Sequence, residues 1–356
     1  MFDALLAPAD KPMLDEIADL ISGPRADRWR IDRSLYRPEL GVVRDGEGVP
    51  LAAVLTTARP ATAATKIVDL WFVDALAGEA LLDAVVDTAR SRHDVAVKWE
   101  VAEGVAVAPF AAAFTPMREP WAAVGTENVR GLVLWLHDIP HTEPGYYAQT
   151  TLFTCGAVAA LIAADAFGRG ALSGRAGDRE REIEFWRRAS NYPSCEPVGL
   201  AVALREHLGD APVEVALDHD APVLLEDMSG FDYDFRAELQ AESWRQAAAL
   251  GVPVRRDRVS IDEILHRVET GEFALLLIDE APMHGETGPH WITAHAAADG
   301  VVLLQDPWVT VAAGETWVDT HDMPVRSAEL EQLVRWSDEN YRGVIFTGVR
   351  PTVAGG

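Results

Sequence analysis

The stretch His137-Asp-Ile-Pro140-His-Thr-Glu-Pro144-Gly145 places two prolines and a glycine within nine residues. Proline fixes φ and removes a backbone donor, so neither a helix nor a central strand runs through such a segment. The chain of 356 residues therefore reads as two domains, 1–140 and 141–356. The two parts differ in texture. Before the break, Pro12–Ile21 reads as a helix, and Leu51–Thr57, Lys66–Val73, Val95–Val101 and Gly131–Leu136 read as strands. Between them, Gly78–Arg92 carries Leu81, Leu82, Val85, Val86 and Ala89 at the spacing of one helix face. After the break, helices come first: Cys155–Phe167, Arg179–Ala189, Pro197–Leu208 and Arg236–Leu250. Ser260-Ile-Asp-Glu263 has capping-box spacing and opens another. Strands follow at Phe273–Ile278, His290–Ala296, Val301–Gln305 and Val344–Val349. The expected fold class is α+β for the second domain, preceded by a smaller α/β domain.

Charge excludes several function classes. With 56 acidic against 31 basic residues, the net charge is −25. Nucleic acid requires a basic stripe that displaces phosphate counterions, and anionic membrane surfaces repel such a chain. The longest near-apolar run, Ala157–Phe167, is too short to span a bilayer and contains Asp165. The opening MFDALLAPADKPMLDEIADL lacks a basic region followed by an apolar run, so no export signal is expected. Two cysteines cannot build a disulfide framework, and the expected compartment is the reducing cytoplasm. The terminal Gly355-Gly356 reads as a frayed tail rather than a processing site.

A rare cysteine in such a compartment is either a buried apolar residue or a nucleophile. Cys155 stands at the start of a helix, where unpaired N–H groups and the helix dipole favour a thiolate. Gly156 removes bulk beside the sulfur, and Gln149 can offer an amide N–H to a developing oxyanion next to the Cys155 N–H. Downstream, His290 and Asp306 start and end a candidate hairpin turning at Asp299-Gly300. A two-residue loop pairs positions summing to 599 and sets His290 and Asp306 on opposite faces. A three-residue loop, Ala298–Gly300, makes the sum 598 and brings them to one face, so an odd loop is expected.

Taken together, Gln149, Cys155-Gly156, His290 and Asp306-Pro307 resemble the bacteriocin-processing (double-glycine) cysteine peptidase family. Its motifs are a glutamine six positions before Cys-Gly, a histidine, and Asp-Pro sixteen residues after it, and 306 − 290 = 16. The resemblance covers about residues 141–310 and implies a papain-like fold. It implies Cys155 as nucleophile, His290 as general base and acid, Asp306 as the orienting carboxylate and Gln149 as the oxyanion donor. Such peptidases sit in membrane exporters, and this chain has neither transmembrane helices nor a P-loop, so double-glycine specificity is not carried over.

Neighbouring residues invite other readings. His284, His290 and His295 are poorly spaced for a metal, and no metal or other cofactor is expected. His295 reads as a core or hydrogen-bonded residue, Cys195 as a loop or substrate-rim residue, and Trp291 and Trp308 as a shield or core packing around the base. In the first domain, the strand–helix–strand centre resembles a GCN5-related acetyltransferase, with Ala75-Leu-Ala-Gly78-Glu79-Ala80 at the diphosphate loop. Ala75 replaces the usual basic or amide residue and Glu79 opposes anions, which implies a degenerate domain. The functions that follow are a cysteine hydrolase of a peptide, amide or related acyl bond, an acyl transferase using the same site with an amine acceptor, a coenzyme A-dependent N-acetyltransferase, or a binding module on a silent papain-like fold. The expected partner is a peptide or small-molecule amide or acyl substrate, with no nucleic acid and no membrane.

Overall fold

A computed structural model describes residues 4–121, 129–170, 172–189, 193–220 and 222–348. Val349 and the Gly355-Gly356 end lie outside the described residues. Two compact units are present, and a single cut at residue 140 does not separate them. The first unit is built from the chain through Glu119, from the strand Val129–Trp135 with its continuation to Asp138, and from Val309–Thr320. The second is built from Ile139–Trp308 and from His321 onward.

The first unit is a twisted sheet of β1 (Leu6–Pro8), β2 (Glu39–Arg44), β3 (Pro50–Thr57), β4 (Ala64–Phe72), β5 (Ala96–Ala102), β6 (Thr115–Pro116) and β7 (Val129–Trp135). The order is β1-β2-β3-β4-β5-β7-β6, antiparallel except for β4 and β5. Parallel neighbours need a crossover helix, and α3 (Ala75–Ser91) provides it. Helices α1 (Lys11–Leu20) and α2 (Pro24–Arg30) bury Ile17, Ala18 and Trp29 against Leu40, Ala53, Leu55 and Val68. On the other face, α3 (Ala75–Ser91) buries Leu81, Leu82, Val85 and Val86 with Val54, Ile67 and Val97. That alternation along β3 and β4 is what a sheet covered on both faces requires. The helix starts at Ala75 rather than Gly78 because Asp74 caps it, accepting from Ala77 N at 2.9 Å.

The segment 309–320 belongs with this sheet for an electrostatic reason. Lys66 Nζ donates to Glu100 Oε2 at 2.9 Å and to Asp319, Thr316 Oγ1 donates to Glu100 Oε2 at 2.7 Å, and Lys98 Nζ reaches the Val318 carbonyl at 3.0 Å. Lys66, Lys98 and Glu100 are buried, and buried charges persist only when paired. Nothing in the sequence periodicity of residues 309–320 signalled this partnership.

The second unit holds α4 (Cys155–Ala166), α5 (Asp178–Ala189), α6 (Pro197–Leu208), α7 (Phe231–Leu250) and α8 (Ile261–Glu269). Its strands are β8 (Val213–Leu217), β9 (Val254–Arg255), β10 (Phe273–Asp279), β11 (Pro289–Ala298), β12 (Val301–Gln305), β13 (Met323–Arg326) and β14 (Gly343–Thr347). They form one sheet in the order β13-β12-β11-β10-β14-β8-β9, antiparallel except for β8 with β9. Ser260 caps α8 as its spacing predicts, accepting from Glu263 N at 3.0 Å. Helix α4 is alanine-rich and buried from Cys155 to Ala164, so it forms a central helix rather than an amphipathic surface one. It packs on β10 and β11, and Thr293 Oγ1 of β11 donates to the Ala159 carbonyl at 2.9 Å. This bond sets the register between the helix that starts at Cys155 and the strand that carries His290.

Candidate active site

Strands β11 and β12 decide whether a base and a carboxylate can meet. Their turn is tight: Ala298 pairs Val301, Ala297 pairs Val302 and Ala296 pairs Leu303, with positive φ at Asp299 (49°) and Gly300 (77°). The expected three-residue loop is therefore absent, because Asp-Gly satisfies a two-residue turn with both residues left-handed. The register nevertheless shifts by one. A β-bulge at His295 separates Ala296↔Leu303 from Ala294↔Leu304 and Thr293↔Gln305. Beyond the bulge positions sum to 598, the value that puts Asp306 on the face of His290. One extra residue thus comes from the strand instead of the turn.

The result is a short contact, with His290 Nε2 2.7 Å from Asp306 Oδ1. The same oxygen accepts from Trp308 N at 2.8 Å, which fixes the carboxylate. Both side chains are buried. Burial opposes a charged ring, yet the Asp306 carboxylate, by charge and by hydrogen bond, and the adjoining Cys155 hold the His290 pKa well above its ordinary value. Since Nε2 is committed to Asp306, Nδ1 is the nitrogen left for the Cys155 thiol. Glu280, at the end of β10, places Oε1 3.5 Å from that same Nδ1. Sequence reading missed it, for nothing in Asp279-Glu280 distinguishes it from any polar strand end.

Cys155 opens α4 behind Thr154, whose side chain makes no capping bond to the helix. Its hydroxyl is used elsewhere, by Glu182 and by Thr151 Oγ1 at 2.9 Å. The first-turn N–H groups of the helix therefore keep their partial positive charge beside the sulfur. Glu182, wholly buried on α5, also accepts from Thr150 N at 2.8 Å and from Thr150 Oγ1 at 2.7 Å. One carboxylate from a distant helix thus organises the loop leading to the thiol. Sequence reading placed Arg179–Ala189 as a helix but had no signal for this role.

Gln149 lies in the same loop. Its backbone N donates to the Pro307 carbonyl at 2.8 Å, and Tyr146 Oη donates to the Asp306 carbonyl at 2.9 Å, so the 146–149 segment runs against the Asp306-Pro307 backbone. Nε2 of Gln149 donates to the Thr151 carbonyl at 2.7 Å, which leaves its second N–H for a ligand. The buried Oε1 has no hydrogen-bond partner.

Three expectations need correction. Gly156 does not clear space for substrate: a Cβ there would meet Cys195 Cβ at 3.1 Å, Leu200 Cδ2 at 3.2 Å and Trp291 Cδ1 at 3.2 Å, so its smallness serves core packing. Cys195 is not at a rim. It is buried, its carbonyl accepts from Trp291 Nε1 at 2.9 Å, and burial first, then Cys155 and Glu196, push its thiol well above the ordinary range. In the first unit, Ala75–Ala80 is not a phosphate loop but the first turns of α3, closed by the Asp74 cap. There the missing Cβ of Gly78 faces Phe72 Cγ at 2.9 Å and Phe110 Cζ at 3.2 Å rather than a ligand. His290 and His295 meet different carboxylates, Asp306 and Asp322.

A family model described as a Peptidase_C39-like family matches residues 144–347. Solved structures similar to the N-terminal part are acetyltransferases. An acetyltransferase of the GNAT family from Staphylococcus aureus has 9% identity and a TM-score of 0.31, covering 38% of this chain and 100% of that one. An IAA acetyltransferase from Bacillus cereus has 14% identity and a TM-score of 0.28, with coverages of 38% and 100%. A probable acetyltransferase from Staphylococcus epidermidis has 10% identity and a TM-score of 0.31, with coverages of 38% and 100%. No curated protein matches the chain. Among the described residues, no helix is long and apolar enough to cross a membrane.

Proposed function

The chain belongs to the Peptidase_C39-like family, and from there we propose that its second unit is a cysteine hydrolase that cleaves a peptide, amide or related acyl bond through an acyl-enzyme. The observation that carries this reading is the buried His290 ring, held by Asp306 on Nε2 at 2.7 Å, which leaves Nδ1 for the Cys155 thiol. In this mechanism Nδ1 takes the thiol proton, and Cys155 Sγ attacks the carbonyl carbon. The C=O electron pair moves to oxygen, where the Cys155 N–H and the free N–H of Gln149 stabilise the charge. On collapse the C–N or related bond breaks and the imidazolium returns its proton to the leaving group. Water, activated by the same ring, then releases the acid and frees the thiol. Asp306 keeps the proton on Nε2 and stabilises the imidazolium throughout. A free thiol with this role suits a reducing compartment such as the cytoplasm.

An amine in place of water would make the same site a transferase. Incubation with a mixed peptide and acyl-amide library, read by mass spectrometry, tests both outcomes. Cleavage lost in Cys155→Ala supports the hydrolase. A product carrying an added amine, formed at the expense of the acid, supports transfer. Cleavage that persists in Cys155→Ala overturns both. For the first unit, the acidic cap at Asp74 and the filled space beside Gly78 speak against a coenzyme A diphosphate at the start of α3.

A further inference from the structure

The strand pairing that presents His290 also presents a carboxylate that the steps above do not use. Ile278 of β10 lies directly opposite His290 of β11. Glu280 stands two residues further, just past the strand end, where its N–H donates to the Gly288 carbonyl at 3.0 Å. Residues two apart in extended chain share a face, so Glu280 is the diagonal neighbour of the His290 ring. Its Oε1 lies 3.5 Å from Nδ1, the nitrogen left for the Cys155 thiol. That exceeds the about 2.7–3.2 Å of an N–H···O hydrogen bond, so the carboxylate acts on this edge of the ring through its charge. Asp306 lies buried at the opposite, Nε2 edge, whereas the Glu280 side chain is 29% exposed and reaches solvent. Space is kept for it. A Cβ at Gly288 would come 2.9 Å from Glu280 Oε2, and no positive φ requires glycine there.

The chemistry brings a nitrogen to the same edge. On the hydrolase reading, on which this inference rests, Nδ1 returns its proton to the leaving group. The departing nitrogen then comes within about 3 Å of Nδ1, and so lies no more than about 6.5 Å from Glu280 Oε1. The two segments that frame the site, 145–156 and 279–290, contain Asp279, Glu280 and Glu286 and no lysine or arginine. Whether the shared proton sits on sulfur or on the ring, the carboxylates of Asp306 and Glu280 leave negative charge in excess. At longer range the net charge of −25 draws cations in the same sense.

We propose that Glu280 is a specificity-determining residue that selects substrates with a cationic leaving group, as a peptide supplies with lysine or arginine directly after the scissile bond. Its carboxylate pairs with that cation while His290 protonates the departing nitrogen beside it.

Methanethiosulfonate reagents read this charge without a known substrate. The Cys155 thiolate attacks the sulfenyl sulfur, a mixed disulfide forms and methanesulfinate leaves. Aminoethyl (cationic), ethyl (neutral) and sulfonatoethyl (anionic) methanethiosulfonate are compared near neutral pH, with modification of Cys155 followed by non-reducing peptide mapping. Native protein should react fastest with the cationic reagent and slowest with the anionic one. The ratio of cationic to neutral rates cancels any change in the thiol itself. Glu280→Gln should lower that ratio roughly three- to tenfold, the effect of one charge a few ångströms away in a largely aqueous medium. Glu286→Gln, which removes an exposed charge from the same loop, should leave the ratio as it is. In the peptide library, lysine and arginine should be enriched directly after the cleaved bond, and Glu280→Gln should erase that enrichment. A native preference for the anionic reagent, a ratio unchanged in Glu280→Gln, or one that falls equally in Glu286→Gln overturns the proposal. Cys155 that reacts with none of the three reagents until the protein unfolds contradicts the hydrolase reading and this proposal with it.

Discussion

Asp306→Asn isolates what the carboxylate does for His290. Asparagine keeps the shape, and its carbonyl oxygen can still accept from Trp308 N, now 2.8 Å from Oδ1. What disappears is the negative charge 2.7 Å from His290 Nε2 in a buried site. A hydrogen bond to a charged group contributes about 1.5–3 kcal/mol. At 1.36 kcal/mol per unit, the loss lowers the His290 pKa by about one to two units. The imidazolium that accompanies the ionised thiol is destabilised equally, so at a fixed pH below the plateau Cys155 alkylation should slow by roughly ten- to a hundredfold. The assay is the second-order rate with dilute iodoacetamide between about pH 4 and 9, read by intact mass and peptide mapping. Stability has a defined sign too. A histidine whose folded pKa is raised contributes fully below its unfolded value near 6.5 and loses that contribution as pH rises through the folded value. The stability gap between wild type and variant should therefore be wider at pH 6 than at pH 9. Rate profiles that overlay within about 0.3 pH unit, with the variant folded, would show that the Asp306 charge does not support the His290 imidazolium.

Gln149→Ala should lower turnover on any cleaved substrate by roughly 10²–10³-fold while leaving the alkylation rate of Cys155 unchanged, and a parallel loss of both would remove the oxyanion role. Gly156→Ala should destabilise by roughly 1–3 kcal/mol in urea titration, since the new Cβ meets three side chains at 3.1–3.2 Å. Helix propensity alone predicts a gain, so a more stable variant would contradict the packing. Glu196, raised by burial from the usual 4.5 to about 7 despite hydrogen bonds from Ser243, Val198 and Gly199, contributes stability below pH 4.5 that is lost as pH rises through 7. Wild type should lose about 3 kcal/mol between those limits beyond what Glu196→Gln loses, and equal pH dependence in urea titrations would refute it.

Local patterns carried most of the fold. Helix faces at 3.6-residue spacing, the Ser260 cap and the Asp-Gly turn are written in contiguous residues, and the structure places them where the spacing does. Helix starts were less legible, as at Gly78, where a capping carboxylate four residues upstream, Asp74, moves the boundary to Ala75. The Cys155, His290 and Asp306 triplet was readable as a motif, but its register was not. A bulge at His295 has no sequence signature of its own, and only pairing shows that the strand supplies the extra residue. Glu182 and Glu280 were invisible for a similar reason, since a lone carboxylate gains meaning only from what folding brings against it. The same holds for His141, Glu143, His321 and Asp322. Topology alone gathers Glu143, His321 and Asp322 and sets His141 3.5 Å from Asp322.

A cysteine hydrolase needs Cys155 and His290 to act as one unit. Alkylation of Cys155 across pH in native protein and in His290→Ala tests it most directly. An ordinary thiol reacts in step with ionisation near ~8.5, whereas paired catalytic thiols react from roughly 3.5–7.5. Native Cys155 should react well below pH 8, and His290→Ala should abolish this low-pH reactivity without unfolding the protein. A profile that is ordinary and indifferent to His290, or labelling only after denaturation, would contradict it.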